Sequence, residues 1–365
     1  MPSDTRADRP RGPDEARAGA DERRSGPDER RPGPDERRAG ADERRSGPDE
    51  PRLGPGGPVV SRMGLGLAAL GRPAYITGGR AGDLPDRSVA GLRARTFAVL
   101  DAAYAAGIRY MDAARSYGRA EEFLAGWLAA PGHPGLVAGS KWGYRYTGGW
   151  RLDAARHEVK EHSLAAFTAQ LAQTTALLGG RLALYQVHSL TPDSPLLGDR
   201  ELLAALGDLR DRGVLLGVTT SGPHQADVLR RALAASAGGR PLFGAAQVTW
   251  NVLEPSVGAA AAEAAAAGWP VLVKEALANG RLAPGAPAAR PLAALAADRG
   301  VGEDAIALAA ALAHPWATVV LSGAVSTAQL HANLAALTVG DVAVPPGLAE
   351  PPGRYWATRA ARPWQ

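Results

Sequence analysis

Four side chains able to hold, give or polarise a proton stand close together in one part of the chain. Asp112 and Tyr117 lie in IRYMDAARSYGRAEEFL (residues 108–124), Lys141 ends VAGSK (137–141) and His188 lies in LYQVHS (184–189). A carboxylate can fix a cation, a phenol or imidazole can pass or polarise a proton, and an ammonium shifts the titration of its neighbours. Each residue also has an ordinary structural role to play: a helix-capping Asp, a rim Tyr, an edge Lys, a buried His. Taken singly, those roles weigh at least as much. Taken together, at matching places in the chain, the four point to proton-transfer chemistry.

The elements that must position them are legible as a pattern. Short apolar runs at 62–67, 109–113, 136–141, 182–188, 215–219, 245–249, 270–274 and 318–322 read as strands. Between them, apolar residues recur at helical spacing over 92–106, 120–130, 163–178, 200–212, 225–235, 256–267 and 328–337, with a further pair at 291–299 and 303–313. Eight such alternations predict a parallel (β/α)8 TIM barrel. A doubly wound sheet is the rival, but no G-x-G-x-x-G opens a helix, and the turn at Gly64, Leu65 and Gly66 lacks the rest of that fingerprint. Barrel chemistry sits where strands end at the C-terminal face. Asp112, Lys141 and His188 fall at the ends of the second, third and fourth strands, with Tyr117 on the loop after the second.

Composition narrows the function. The chain has 365 residues, 45% hydrophobic, with a net charge of +4 and no Cys, so disulfides and thiolate metal sites are excluded. No metal site is expected. No apolar run nears the roughly 20 residues of a membrane span, and no basic stripe is interleaved with aromatics as nucleic-acid binding would require. A cytoplasmic protein with a small-molecule substrate is expected, with neither membrane nor nucleic acid as partner; the oligomeric state is open. Residues 1–57 read as a disordered low-complexity N-terminal tail: Gly12, Gly19, Gly26, Gly33, Gly40, Gly47 and Gly54 mark a seven-residue repeat of mixed charge with no apolar core positions. Its Arg-Arg pairs precede no apolar run, so no twin-arginine export signal is expected. The barrel is expected over 58–340, and a C-terminal extension near its mouth over 341–365. Lys occurs only at 141, 160 and 274 in a chain otherwise rich in Arg. A retained Lys fits a need for a compact point charge.

The ordered set of motifs resembles the aldo-keto reductase family from about Ser61 to Leu337. Its carriers are MGLGL (63–67), DAARSYGRAEEFL (112–124), SK (140–141), LYQVHS (184–189), GVTTSG (217–222), AAQVTWNVL (245–253) and LSGAVSTAQLHANLAAL (321–337). The resemblance implies a catalytic tetrad of Asp112, Tyr117, Lys141 and His188 in a barrel that binds NADPH, with NADH as the alternative. Chemistry agrees with that implication. No side chain supplies a hydride, so carbonyl reduction needs a nicotinamide. In this reading Tyr117 is the general acid, or the base in alcohol oxidation. Lys141, held by Asp112, lowers its pKa, and His188 orients the carbonyl oxygen.

The resemblance also implies cofactor contacts from Gln247 at the carboxamide, Asn333 at the adenine, and Leu277, Gly280 and Arg281 on the loop after the seventh strand. Thr219 and Thr220 replace the Ser-Asn pair that the family places at the carboxamide. Lys274, followed by Glu275, stands where an aromatic stacks on the nicotinamide. Its stem is able to cover the ring, and its charge would favour the neutral reduced cofactor over the oxidised cation; alternatively the pair only shapes its loop. Gly323 and Gln329 stand where NADPH-specific members carry Lys and Arg, so NADPH rests on family habit, with Arg281 as a substitute cation.

Trp142 and Tyr144 in WGYRYTGGW (142–150), together with Trp250, Tyr355, Trp356 and Trp364, are the candidates for an aromatic substrate mouth. The expected activity is NAD(P)H-dependent reduction of an aldehyde, ketone or aldose, or the reverse. The alternative is a nicotinamide-binding regulatory or redox-sensing subunit with little turnover.

Overall fold

The computed structural model describes residues 51–77 and 80–365; the repeats at 1–50 lie outside the described residues. Eight parallel strands close a barrel: β1 (Met63–Gly66), β2 (Tyr110–Asp112), β3 (Val137–Trp142), β4 (Leu182–Leu190), β5 (Leu215–Thr220), β6 (Ala245–Thr249), β7 (Val271–Lys274) and β8 (Ala317–Ser322). β8 pairs with β1 to complete the ring. Each strand is nearly continuous in apolar or small residues because both of its faces are covered, inside by the barrel core and outside by helices.

Helices follow the strands in the expected alternation: α1 (Val89–Ala105), α2 (Ala120–Leu128), α3 (Leu164–Leu178), α4 (Arg200–Asp211), α5 (Gln225–Leu233), α6 (Gly258–Ala266), α7 (Ala293–Arg299), α8 (Glu303–Leu312), α9 (Thr327–Leu334) and α10 (Pro352–Ala360). Their starts have local causes. Ser88, Ser163, Asp199 and Ser326 each accept a hydrogen bond from a backbone N–H in the first turn, satisfying a donor the helix leaves open. Among the described residues no helix is long and apolar enough to cross a membrane.

Residues just before Pro58 pack on the barrel. Arg52 pairs with Val59 in an antiparallel bridge, and Leu53 is buried with Val60, Tyr110, Leu184 and Leu272 in the barrel core. Residues 51–57, assigned from sequence to the tail, therefore belong to the barrel. The tail pattern hid this because Leu53 is a lone apolar residue among Gly and Pro. Two further features carry too little periodicity to be read from sequence. One is an antiparallel ribbon after β3, pairing Tyr144–Tyr146 with Glu158–Lys160. The other is α10, which buries Tyr355 and Trp356.

Candidate active site

Strand ends bring the four proton-handling residues together. Asp112 ends β2, in register with Gly66 of β1 and Gly139 of β3. Lys141, fully buried near the end of β3, donates from Nζ to Asp112 Oδ2 and, at 2.9 Å, to the carbonyl of Ala113. Asp112 Oδ1 also accepts from Gln247 Nε2 of β6 at 2.9 Å and from the Tyr110 hydroxyl at 3.3 Å. The Lys141 ammonium lies 4.6 Å from the centre of the Tyr117 ring. His188 of β4 meets the same ring edge-on, with centroids 5.4 Å apart.

The surrounding sequence holds these groups in place. Ser140, beside Lys141, donates to the buried carboxylate of Glu121 on α2, which also accepts from Thr174 at 2.9 Å and Arg115 at 2.5 Å. The loop bearing Tyr117 packs directly on the loop after β1, where Arg119 donates its N–H to the Gly71 carbonyl at 2.7 Å. A Cβ on Gly71 would lie 2.2 Å from the Tyr117 carbonyl, and Gly118 has φ +60°, so both positions need glycine.

Burial governs the titration of the cluster. It pushes the Tyr117 phenol well above its ordinary value; Asp112 adds to the rise and Arg72 opposes it. The sequence reading, in which Lys141 lowers this phenol, is thus outweighed by enclosure, and Tyr117 is protonated at neutral pH. Burial likewise pulls the Lys141 ammonium below its ordinary value, with Asp112 opposing. Burial, then Lys141 and Arg72, hold His188 well below the usual imidazole range, so the ring is neutral. Its Nδ1 lies 3.3 Å from the Ser116 hydroxyl; a hydrogen bond donated by that hydroxyl would place the ring proton on Nε2.

A cleft of about 430 Å³, within the usual range of small-ligand sites, opens over this cluster. Of the residues expected at a cofactor, Gln247, Lys274, Leu277, Gly280, Gly323, Gln329 and Asn333 line it. Gln247 Oε1 is buried and has no hydrogen-bond partner among the described residues. Lys274 donates to the Thr249 hydroxyl at 2.5 Å, and burial lowers its ammonium to about 8, with Glu275 opposing. Thr219 and Thr220 are not brought to the cleft. Both are fully buried; the Thr219 hydroxyl accepts from Ser189 N–H at 2.7 Å, and Thr220 donates to Gln225 at 3.4 Å. Arg281 is turned aside by its ion pair with Glu350 and lies over Tyr355.

The aromatic mouth differs from the expectation. Tyr144 does reach the site, packing on His188 at 4.9 Å between ring centres. Trp142, on β3, instead packs against Phe167 of α3 at 5.0 Å, and Trp250, just past the end of β6, packs against His314 at 4.4 Å. Asn251 donates from Nδ2 to the Tyr355 hydroxyl at 2.9 Å, and Trp356 donates to Glu254 at 3.3 Å, fixing α10 to the barrel. Only Trp364 of the C-terminal aromatics lines the cleft. It stacks on His157 at 4.5 Å and lies 4.7 Å from the Arg72 guanidinium.

Sequence reasoning missed Arg72, Tyr75, Glu158 and Arg359, all lining the cleft. Arg72 is 2% exposed, bonded to the Ser116 carbonyl at 3.0 Å and Glu158 at 2.8 Å, with its guanidinium 5.1 Å from the Tyr117 ring centre. Arg is so frequent in this chain that nothing in composition or spacing singles it out. The C-terminal segment then crosses the mouth. Arg362 donates to the carbonyls of Ile76 and Asn279, both at 2.9 Å, and Gln365 exchanges two backbone hydrogen bonds with Tyr75.

Comparison with known proteins agrees with this geometry. Residues 62–341 match the aldo/keto reductase family. Among solved structures, an aldo-keto reductase from Bacillus halodurans in its holo form is similar at 21% identity and a TM-score of 0.60, covering 85% of this chain and 95% of that one. A Pseudomonas aeruginosa protein assigned to the aldo-keto reductases is similar at 23% identity and a TM-score of 0.58, covering 80% of this chain and 95% of that one. At these identities the likeness speaks for the fold. No curated protein sequence matches the chain.

Proposed function

This chain belongs to the aldo/keto reductase family, and from that premise we propose that it reduces the carbonyl of an aldehyde, ketone or aldose to an alcohol, or runs the reverse oxidation, with Tyr117 as the proton-transfer group. The observation that carries this reading is the convergence of Asp112, Tyr117 and His188 on one cleft, with Lys141 buried behind them against Asp112 and the Tyr117 ring. The family implies a nicotinamide dinucleotide, and the residues present fit one. Gln247 commits its amide nitrogen to Asp112, which leaves Oε1 as a buried acceptor without a partner, suited to a carboxamide N–H. Leu277, Gly280 and Asn333 would hold the remainder. Bound there, the reduced nicotinamide supplies the hydride.

The chain's own residues do the rest. His188, neutral and carrying its proton on Nε2, donates to the carbonyl oxygen and fixes its direction. Tyr117 gives its phenolic proton to that oxygen as negative charge builds on it. The phenolate left behind faces the Lys141 ammonium and the Arg72 guanidinium, which stabilise it until a proton returns. The enclosure that raises the phenol opposes release of its proton, and the two cations beside the ring offset that cost. In oxidation the same groups run in reverse order.

The test is loss of absorbance at 340 nm with reduced dinucleotide against a panel of aldehydes, ketones and aldoses, with Tyr117→Phe beside it. Turnover that disappears in the variant supports the reading. Turnover that persists unchanged in Tyr117→Phe would refute the role of Tyr117.

A further inference from the structure

The cations that line the cleft, among the described residues, are Arg72, Lys274 and Arg359, and all three serve its catalytic and mouth side. Arg72 pairs with Glu158 beside Tyr117, Arg359 pairs with Glu275, and Lys274 bonds Thr249 next to the Asp112 cluster. The other side is built by the end of β8, the first turn of α8 and helix α9. It presents Asp304, Gly323, Gln329 and Asn333, which together bring one carboxylate and no cation.

A helix N-terminus can also hold a phosphate through its free N–H groups, but α9 largely caps itself. Ser326 accepts from the Gln329 N–H at 3.2 Å, and the Gln329 side chain reaches back to accept from the Val325 N–H at 2.9 Å. Gln329 is thereby occupied by its own helix. Asn333 is held as well, donating to Ser322 at 2.8 Å. Asp304 is buried, at 6% exposure, with one carboxylate oxygen accepting the Ala305 N–H at 3.0 Å.

Resting on the nicotinamide reading above, we propose that this chain selects NADH over NADPH, with Asp304 and the uncharged Gly323 and Gln329 as the specificity-determining residues at the ribose that distinguishes them. With the nicotinamide end over Gln247 and Tyr117, the adenosine half extends to the β8 side. A ribose 2′-hydroxyl there meets a carboxylate able to accept its hydrogen bond. A 2′-phosphate meets that carboxylate as a like charge, with no guanidinium or ammonium to offset the repulsion or the loss of hydration. A carboxylate for the 2′-hydroxyl and a cation for the 2′-phosphate is the same division of labour used by other dinucleotide folds.

The test measures binding directly, by quenching of the protein's tryptophan fluorescence with NADH and with NADPH at low and high salt. NADH is expected to bind roughly tenfold tighter or better, a ratio corresponding to one unfavourable charge contact. Nothing lies within 4 Å of a Cβ built on Gly323, so Gly323→Lys introduces a cation without a steric clash. Together with Gln329→Arg it should raise the affinity for NADPH relative to NADH about tenfold or more, and high salt should erase that gain. NADPH binding as tightly as NADH to the unaltered chain, or a double variant with an unchanged ratio, would overturn the inference and leave the proposed reaction standing. Failure of both dinucleotides to bind would instead overturn the reading on which it rests.

Discussion

Arg359 holds Glu275 through two guanidinium nitrogens at 2.5 to 3.1 Å, tying the last helix to the residue that follows Lys274. Against the upward pull of burial, Arg359 and Lys274 hold the Glu275 carboxyl at about 2. Glu275 is also held at φ +57°, a backbone conformation that costs a non-glycine residue energy. The pair therefore secures a strained turn at the edge of the cleft.

Removing one partner leaves the other charge enclosed. Arg359→Met should destabilise the protein by about 3–5 kcal/mol in denaturant unfolding at pH 7, and adding Glu275→Gln should recover much of that loss. Because the folded Glu275 value lies below the ordinary one, its contribution is complete above the ordinary glutamate range and fades as pH falls through about 2. Equal instability of the single and double variants would mean that α10 is held by Tyr355 and Trp356 instead.

Tyr117→Phe keeps the ring that packs on His188 and Lys141 but removes the transferable proton. We expect kcat to fall by about 10²–10⁴, with dinucleotide binding retained. A parallel loss of binding would indicate damage to the loop that Gly71 and Gly118 allow to pack.

His188 stays neutral well below the usual imidazole range. The rate should accordingly be flat from about pH 8 to about pH 6, with no acid limb near the ordinary imidazole value. A limb in that window that disappears in His188→Asn would contradict the neutral-donor role.

Lys274 is charged below about pH 8 and neutral above it. Its charge is set against Glu275, Arg359, Lys141 and Asp112, which face it from the neighbouring elements. Below that value it should disfavour the oxidised, positively charged nicotinamide relative to the reduced form. The ratio of the two dissociation constants should then narrow between pH 7 and pH 9.5 in the native chain and stay constant in Lys274→Met. The same pH dependence in both proteins would remove Lys274 from the explanation.

The barrel and its four central residues were legible in the sequence because each rests on a local pattern: an apolar run, a polar residue at its end, a helical period after it. The eight strands fall within a few residues of the expected runs, and Asp112, Lys141 and His188 stand at the ends foreseen. What escaped is set by long-range partners. Arg72 acquires its meaning from Glu158 and Trp364, and Arg359 from Glu275, none of them near in sequence. The facing of Trp142 escaped for a related reason: strands covered on both sides carry apolar residues on both faces, so sequence alone does not say which face meets the cleft. Residues 51–57 were hidden by their resemblance to the repeats before them.

The bond from Arg362 to Ile76 spans a sequence separation of 286 residues, whereas each barrel strand pairs with neighbours from adjoining units apart from the single closure of β8 on β1. Ordering a segment over so long a loop carries a loop-closure penalty with few contacts to offset it. This crossing should be among the last structures gained in folding and the first released by thermal fluctuation. Amide protons of Tyr75 and Gln365 should then exchange with solvent sooner than those of the barrel strands. The consequence is kinetic: release of the C-terminal segment from Tyr75 and Ile76 alone would open the cleft to ligand, so the barrier to turnover would be separate from the barrier to unfolding.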